Sequence, residues 1–516
     1  MRVTRSAALL VGLLVLAGGP AAPAAAAVSA AEKVAIDLES RIVEETLPNG
    51  LRVIVLPRHQ SPTVSLSMQF RVGSAQEAEG ASGLAHLLEH MMFKGTRTLG
   101  TRDWAAERPL LERIEGIVGE LDAERRRGAA ADAARVADLE ARLAAAQAEA
   151  RKYVVKDEID AIYTENGEQG FNASTGVDVT AYKISLPANR LPLWARIESE
   201  RLREPVMREF YSEREVVREE RRQSYESDPS RKLYELLFAS AFFAHPYRRP
   251  VIGWDGDVRY LRAPQAERFF RTWYAPNNTV LAVVGDVDPA AFLALVRAAF
   301  GSIPAQPLPP DTATPEPEQR GERRVALAAD AQPELLIGWH KPTLPTFEDY
   351  VFDLIDGLLT TGRTSRLYRR LVEETQVAVS VSSSNGLPGG RYDNLFTVGA
   401  TPRAPHTAGE VEAAIDAELA RLIAEPAAPE ELQRVKNQLR ADLVRGLQSN
   451  EGMAATLGYY ATVAGDWRYL TTHLDRLEAI TPADIQAVAA KYLRRENRTV
   501  AVIETTQAGA DAPDEK

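Results

Sequence analysis

His86, Glu89 and His90 are the residues in this 516-residue chain whose types and spacing could do chemistry together. They spell H-x-x-E-H inside Gly83-Leu84-Ala85-His86-Leu87-Leu88-Glu89-His90-Met91-Met92-Phe93-Lys94-Gly95-Thr96. On a helix, positions four apart project from one face, so the two imidazoles can share one metal ion, and zinc is the usual occupant. Glu89 adjoins that face, where a carboxylate can reach a metal-bound water without ligating the metal. Leu84, Leu87, Leu88 and Met91 predict a largely buried helix. Buried imidazoles and carboxylates are costly unless partnered, and a metal supplies the partner. The competing reading is a pair of satisfied core histidines. The chain has only seven His, and two stand at i and i+4 with Glu directly before the second, which weighs toward a metal.

H-x-x-E-H reverses the commoner H-E-x-x-H and is the inverzincin signature. With its flanks, GLAHLLEHMMFKGT resembles the pitrilysin/insulinase (M16) family of zinc peptidases. It is especially similar to the shorter members that resemble the mitochondrial processing peptidase catalytic subunit. The resemblance implies an α+β fold of two homologous α/β sandwich-like halves, of the LuxS/MPP-like metallohydrolase type. It also implies a zinc metalloendopeptidase with one Zn²⁺ per chain.

The metal needs a third protein ligand, with the fourth position left to water. In the stretch from Glu213 to Arg222, about 100° per residue puts Glu213, Val216, Val217 and Glu220 on one helix face, with Glu215 and Glu219 elsewhere. Two carboxylates bracketing an apolar patch predict a face turned to the interior. Taken alone, a solvated acid-rich helix is the commoner reading. The resemblance assigns Glu220 to the family's distal metal ligand in this E-x6-E pattern and Glu213 to a carboxylate bracing the site. The gap of 130 residues from His90 to Glu220 is longer than is usual for the family. The excess is about the size of residues 101–155, where Leu110, Leu111, Ile114, Ile117, Val118 and Leu121 keep a helical period, Arg125 to Gly128 mark a turn, and Val136, Leu139 and Leu143 resume the stripe. This reads as an inserted antiparallel helical hairpin: a lid, an interface arm or a passive insertion.

The remaining elements surround these. Leu51–Leu56 and Val64–Phe70 read as strands, and Phe171–Thr175 with Val179–Leu186 as a strand pair. The pair by itself is an ordinary hairpin. The resemblance puts Asn172 and Ala173 on a sheet edge beside the metal, where an extended peptide adds as another strand. Phe93, one turn past His90, is placed to line the pocket for the side chain after the cut. Six prolines between Pro304 and Pro317 mark residues 302–322 as an interdomain linker. The second half repeats the first weakly, and its helix from Asp349 to Leu359, in the position of the metal helix, has no His. Arg366 and Tyr368, or Arg391 and Tyr392, could reach across to the site from there. The expected organisation is a signal peptide at 1–27, a catalytic half at 28–301, the linker, an inactive half at 323–505 and a polar tail at 506–516.

Residues 1–27 combine Arg2 and Arg5, an apolar run from Ala7 to Ala17, and Ala25-Ala26-Ala27 before Val28, which reads as a cleavable secretory signal. The expected location is periplasmic or secreted, in a bacterium. With no cysteine, an exported chain depends on its core alone. The formal charge is −11, and removing a segment with two Arg and no acid leaves −13, which argues against nucleic acid and anionic membrane surfaces. No later segment is apolar enough to span a membrane.

The expected mechanism is hydrolysis of peptides or unfolded polypeptides by zinc-bound water, with His86, His90 and Glu220 as ligands and Glu89 as general base. Family members of this length form half of a closed chamber, which implies a homodimer or a heterodimer with an M16-like subunit lacking H-x-x-E-H. The alternative is a non-enzymatic structural or assembly subunit of the same fold.

Overall fold

Two sheets of matching connectivity organise the chain, seen in a computed structural model that describes residues 38–311 and 313–506. The expected signal segment lies outside the described residues. The first sheet contains β1 (Val43–Thr46), β2 (Arg52–Pro57), β3 (Thr63–Phe70), β4 (Gln169–Thr175), β5 (Thr180–Pro187) and β6 (Thr279–Gly285), in the order β1-β2-β6-β3-β5-β4. The second contains β7 (Arg323–Ala329), β8 (Glu334–Lys341), β9 (Ala378–Leu387), β10 (Asn394–Pro402) and β11 (Arg498–Thr505), in the order β7-β11-β8-β10-β9. Without β1 the two orders superimpose, and so does the pairing sense. The β2–β6 and β7–β11 pairs are parallel and the others antiparallel. The expected α+β architecture of two homologous halves is therefore the architecture found.

Strand alternation decides what each face meets. Val53, Val55, Leu66, Met68 and Phe70 share one core with Leu84, Leu87, Leu88 and Met91 of the histidine helix, Leu84–Met91. On the opposite face, Ile54, Leu56, Val280, Ala282 and Val284 pack under Met453, Ala454, Leu457 and Ala461 of a helix from the second half, Asn450–Val463. The exchange is reciprocal. Leu233, Leu237 and Ala241 of the first half's helix Pro229–Ala241 pack on Leu336, Leu395, Ala501 and Ile503 of the second sheet. Each fully buried large apolar side chain contributes roughly 1.5–3 kcal/mol, so pulling the halves apart would uncover both layers at once.

The region between the histidine helix and β4 holds a helical hairpin, Trp104–Arg125 and Ala133–Ala150, followed by the short helix Glu158–Glu165. Asp103 and Asp132 cap the two helices by accepting from backbone amides two or three residues on. The hairpin does not project. Ile114, Ile117, Val118 and Leu121 join the first core, Glu115 bonds Tyr211 and Arg262, and Arg126 lies 4.8 Å over the Tyr260 ring. The irregular stretch 313–322 is likewise held against the body. Glu316 accepts from the amides of Phe243, Ala244 and His245 at 2.7, 2.8 and 3.0 Å.

Candidate metal centre

The histidine helix begins at Gly83, whose φ of +87° favours glycine and where a Cβ would stand 2.7 Å from the Ile252 carbonyl. A buried carboxylate closes its N-terminus. Glu77 accepts from the amides of Gly83 and Ala85 at 3.1 and 2.8 Å. Burial pushes the Glu77 carboxyl up to about 8, against those two amides and Arg249. A raised acid favours folding fully below its unfolded value, and the gain is lost as pH rises toward the folded one. Stability should therefore fall between about pH 5 and about pH 8, by up to roughly 1.4 kcal/mol per unit from this group. Glu77→Gln should flatten that fall, as read from urea midpoints across the range. An unchanged slope would rule Glu77 out as its source.

His86 Nε2 and His90 Nε2 each lie 3.7 Å from Glu220 Oε2, and the three ligand atoms fall within 4.8 Å of one another. Ligands bound at about 2.0–2.1 Å around a tetrahedral ion stand roughly 3.3 Å apart, so small side-chain shifts would close the set. The two rings are nearly perpendicular, 4.8 Å between centroids. Burial, with His90 beside it, pushes His86 down to about 3, which keeps its ring neutral and its lone pair available. His86 Nδ1 is buried without a hydrogen-bond partner among the described residues. A cation at Nε2 would place the ring proton on Nδ1, where no described residue accepts it. Two imidazole nitrogens, one carboxylate oxygen and an open side are a donor set that fits zinc.

The surrounding carboxylates are unequal. Burial alone would lower His90, but the Glu213 hydrogen bond and the charges of Glu89, Glu220 and Glu213 raise it overall. Glu213 is itself held below the usual carboxylate range, because His90 and Lys94 outweigh its burial. Lys94 Nζ is 2.6 Å from one Glu213 oxygen, and His90 Nδ1 is 3.5 Å from the other. Glu89 stands beside this set without joining it. It is 9% exposed, burial raises its pKa, and its Oε2 accepts a 2.5 Å hydrogen bond from the Thr175 hydroxyl. Thr175 was not a candidate from the sequence. The available signal was alternation, since Ala173 and Thr175 share a face of β4.

β4 pairs with β5 on one side only, which makes it a sheet edge. Asn172 stands opposite Lys183 and Ala173 opposite Tyr182. The Ala173 amide donates to the Asn172 side chain at 2.9 Å rather than to a neighbouring strand. Phe93 is half-buried, its ring 5.2 Å from Phe171 and 6.2 Å from Tyr182. Buried Arg201 lies 5.4 Å over Phe93 and is itself paired to Glu198.

Two expectations need correction. The helix Phe210–Arg221 does not turn Val216 and Glu220 to the interior. Val217 is fully buried, but Val216 is 49% exposed and the Glu220 side chain 41% exposed. The helix meets the histidine helix through Glu213, which faces His90, and through Val217, which joins the same core. Of the second-half residues expected to reach across, Arg366 is bidentate to Glu431 and Tyr368 packs on the second core. Arg391 and Tyr392 do reach the first half, but their amides donate to Asp178 and Tyr247 and their side chains bond Asp311, not His86, His90 or Glu220.

The second half shows the same framework without the ligands. In the helix Phe347–Thr360 and the turn after it, Asp353, Asp356, Gly357 and Gly362 keep the spacing of His86, Glu89, His90 and Gly95, and both end glycines have positive φ. Asp356 takes a hydroxyl hydrogen bond from Ser383 of β9, as Glu89 does from Thr175 of β4. Gly357 offers no ligand, and Val435 packs against it so closely that a Cβ there would meet Val435 Cγ1 at 2.3 Å.

The family model described as Insulinase (Peptidase family M16) matches residues 52–125, and the model described as Peptidase M16 inactive domain matches residues 261–439. The zinc protease PqqE of Helicobacter pylori is 25% identical over 456 residues, covering 87% of this chain and 89% of that protein. An uncharacterized zinc protease of Mycobacterium tuberculosis, Rv2782c, is 27% identical over 459 residues, covering 87% and 90%. Among solved structures, a protease from Helicobacter pylori superimposes with a TM-score of 0.75 at 24% identity, over 90% of this chain and 99% of that one. The periplasmic protease PqqL from Escherichia coli superimposes with a TM-score of 0.68 at 19% identity, over 90% of this chain and 48% of that one. With the histidine helix in one half, its counterpart without histidines in the other, and both family models matched in that order, the chain belongs to the M16 (insulinase-type) peptidase family.

Proposed function

We propose that this chain is an exported zinc endopeptidase that hydrolyses peptides or unfolded polypeptides held as an extended strand along β4. The observation that carries the reading is the convergence of His86, His90 and Glu220 at 3.7 Å, beside a buried Glu89 tied to the edge of the sheet. Bound by those three residues, one Zn²⁺ per chain supplies Lewis acidity to a peptide carbonyl and makes water acidic enough to lose a proton near neutral pH. Glu89 takes the proton of the attacking water and passes it to the leaving amine. The Thr175 hydroxyl fixes one Glu89 oxygen, which orients the carboxylate for both transfers. Backbone groups of Asn172 and Ala173 on the open edge hold the substrate main chain, the Asn172 side chain giving way, so little sequence is demanded. Alternate substrate side chains then fall toward the cluster of Phe93, Phe171 and Tyr182.

We read 28–301 as the catalytic half, 302–322 as the linker, 323–505 as the inactive half and 1–27 as a cleaved signal. A structurally similar periplasmic protease supports export. The chain spans about half the length of PqqL, which supports pairing with a second copy or with a subunit lacking the motif. The intact H-x-x-E-H favours an enzyme over an assembly subunit. The test is hydrolysis of an unfolded polypeptide by the full chain before and after zinc removal by a chelator. Hydrolysis should fall by orders of magnitude and return with one Zn²⁺ per chain. Unchanged cutting without metal would reject the reading, and a zinc-loaded chain that cuts nothing would favour the assembly subunit.

A further inference from the structure

The hairpin reaches the metal centre through buried charge. Glu107, in the first turn of the helix Trp104–Arg125, is 0% exposed, and Arg208, just before the helix Phe210–Arg221, is 1% exposed. They form a two-pronged pair at 2.6 and 3.0 Å. Arg208 also donates to three backbone carbonyls of the turn that follows the histidine helix: Lys94 at 2.5 Å, Thr96 at 2.9 Å and Leu99 at 3.3 Å. The turn is shaped around this guanidinium. Gly95 and Gly100 have φ of +93° and +80°, and a Cβ on either would stand 3.1 or 2.9 Å from Arg208 Nη1. The same turn begins at Lys94, whose ammonium holds Glu213, and Glu213 faces His90. Farther along the hairpin, Glu115 accepts from Tyr211, the second residue of the helix that carries Glu220. The inserted segment thus holds the helix that carries Glu220 directly and the turn after the histidine helix through Arg208.

We propose that Glu107 is a positioning residue for the metal centre. Through Arg208 and the Lys94–Gly100 turn it sets Lys94 and Glu213 against His90, so the hairpin holds ligand geometry as well as packing. The inference rests on the reading of His86, His90 and Glu220 as the zinc site. Removing the carboxylate charge leaves a buried guanidinium without its counter-ion, and the turn it organises loses its anchor.

The test measures zinc affinity of the full chain by competition with a chromophoric chelator, for the unaltered protein, Glu107→Gln, Lys94→Gln and the double variant. Each single change should weaken zinc binding about tenfold, the low end for groups behind a metal ligand, at a temperature where circular dichroism shows the chain fully folded. The double variant should bind no more weakly than the weaker single one, because both act along one route. Glu107→Gln that melts earlier yet binds zinc as tightly as the unaltered chain would make the residue purely structural and overturn the proposal. Losses that add in the double variant would overturn it too. Should Glu107→Gln fail to fold, half-buried Lys94 decides: a tenfold loss in Lys94→Gln supports the route, and unchanged affinity removes it. An unaltered chain that takes up no zinc sinks the zinc-site reading and this proposal together, an outcome distinct from equal binding by all variants.

Discussion

Glu89→Gln should keep its zinc and lose turnover by roughly 10²–10⁴-fold in kcat, the usual worth of a positioned general base. The side chain is nearly the same size, and its oxygen can still accept from the Thr175 hydroxyl, so fold and edge strand stay as they are. What disappears is the site that takes a proton from water. Glu89 is not among the convergent ligand atoms, so metal content should not change. On the proposed reading β4 holds the substrate, so KM should move much less than kcat. Zinc per chain and steady-state kinetics on one fluorogenic unfolded polypeptide read all three quantities. A variant that turns over within tenfold of the unaltered enzyme would remove Glu89 from the role of base. Loss of zinc with loss of activity would instead make it a ligand.

Glu220→Ala should weaken zinc binding on the order of a hundredfold or more, while Glu213→Gln should cost about tenfold. Both carboxylates lie on one helix, and only their reach distinguishes them. Glu220 Oε2 is 3.7 Å from both imidazole Nε2 atoms. Glu213 stands behind His90 at Nδ1, where a carboxylate fixes the tautomer and orientation of a ligating ring. The reversed ranking, with Glu213→Gln the more damaging, would move the third ligand to Glu213. Competition with a chelator of known affinity separates the two outcomes without reference to activity, so a catalytically silent preparation still answers the question.

The legible part of this protein was local. His86, Glu89 and His90 lie within five residues of one helix, and helical geometry alone brings their side chains to one side. Strands β2, β3, β4 and β5 were readable from short runs of strand-forming residues, and the hairpin from its two 3.6-residue stripes. The helices Pro229–Ala241 and Asn450–Val463 were not picked out. They carry small and apolar residues on several sides because each is packed between its own half and the other half's sheet, and a helix buried that way shows little polar face.

What only the tertiary structure decided are the relations between elements far apart in sequence. The helical wheel grouped Val216 with Glu220 and turned both inward, yet the packing buries Val217 and sets Glu213 against His90, leaving Val216 and Glu220 exposed. Thr175 became a partner of Glu89 only because the edge strand runs past the histidine helix. The hairpin looked like a detachable addition in the sequence, and the fold sank its Glu107 against Arg208 beneath the metal-site turn. Spacing along one helix sets which side chains share a face. Which face meets a neighbour, and which buried charge finds its counter-ion, depends on how whole elements pack, and that is not written in any short stretch of the chain.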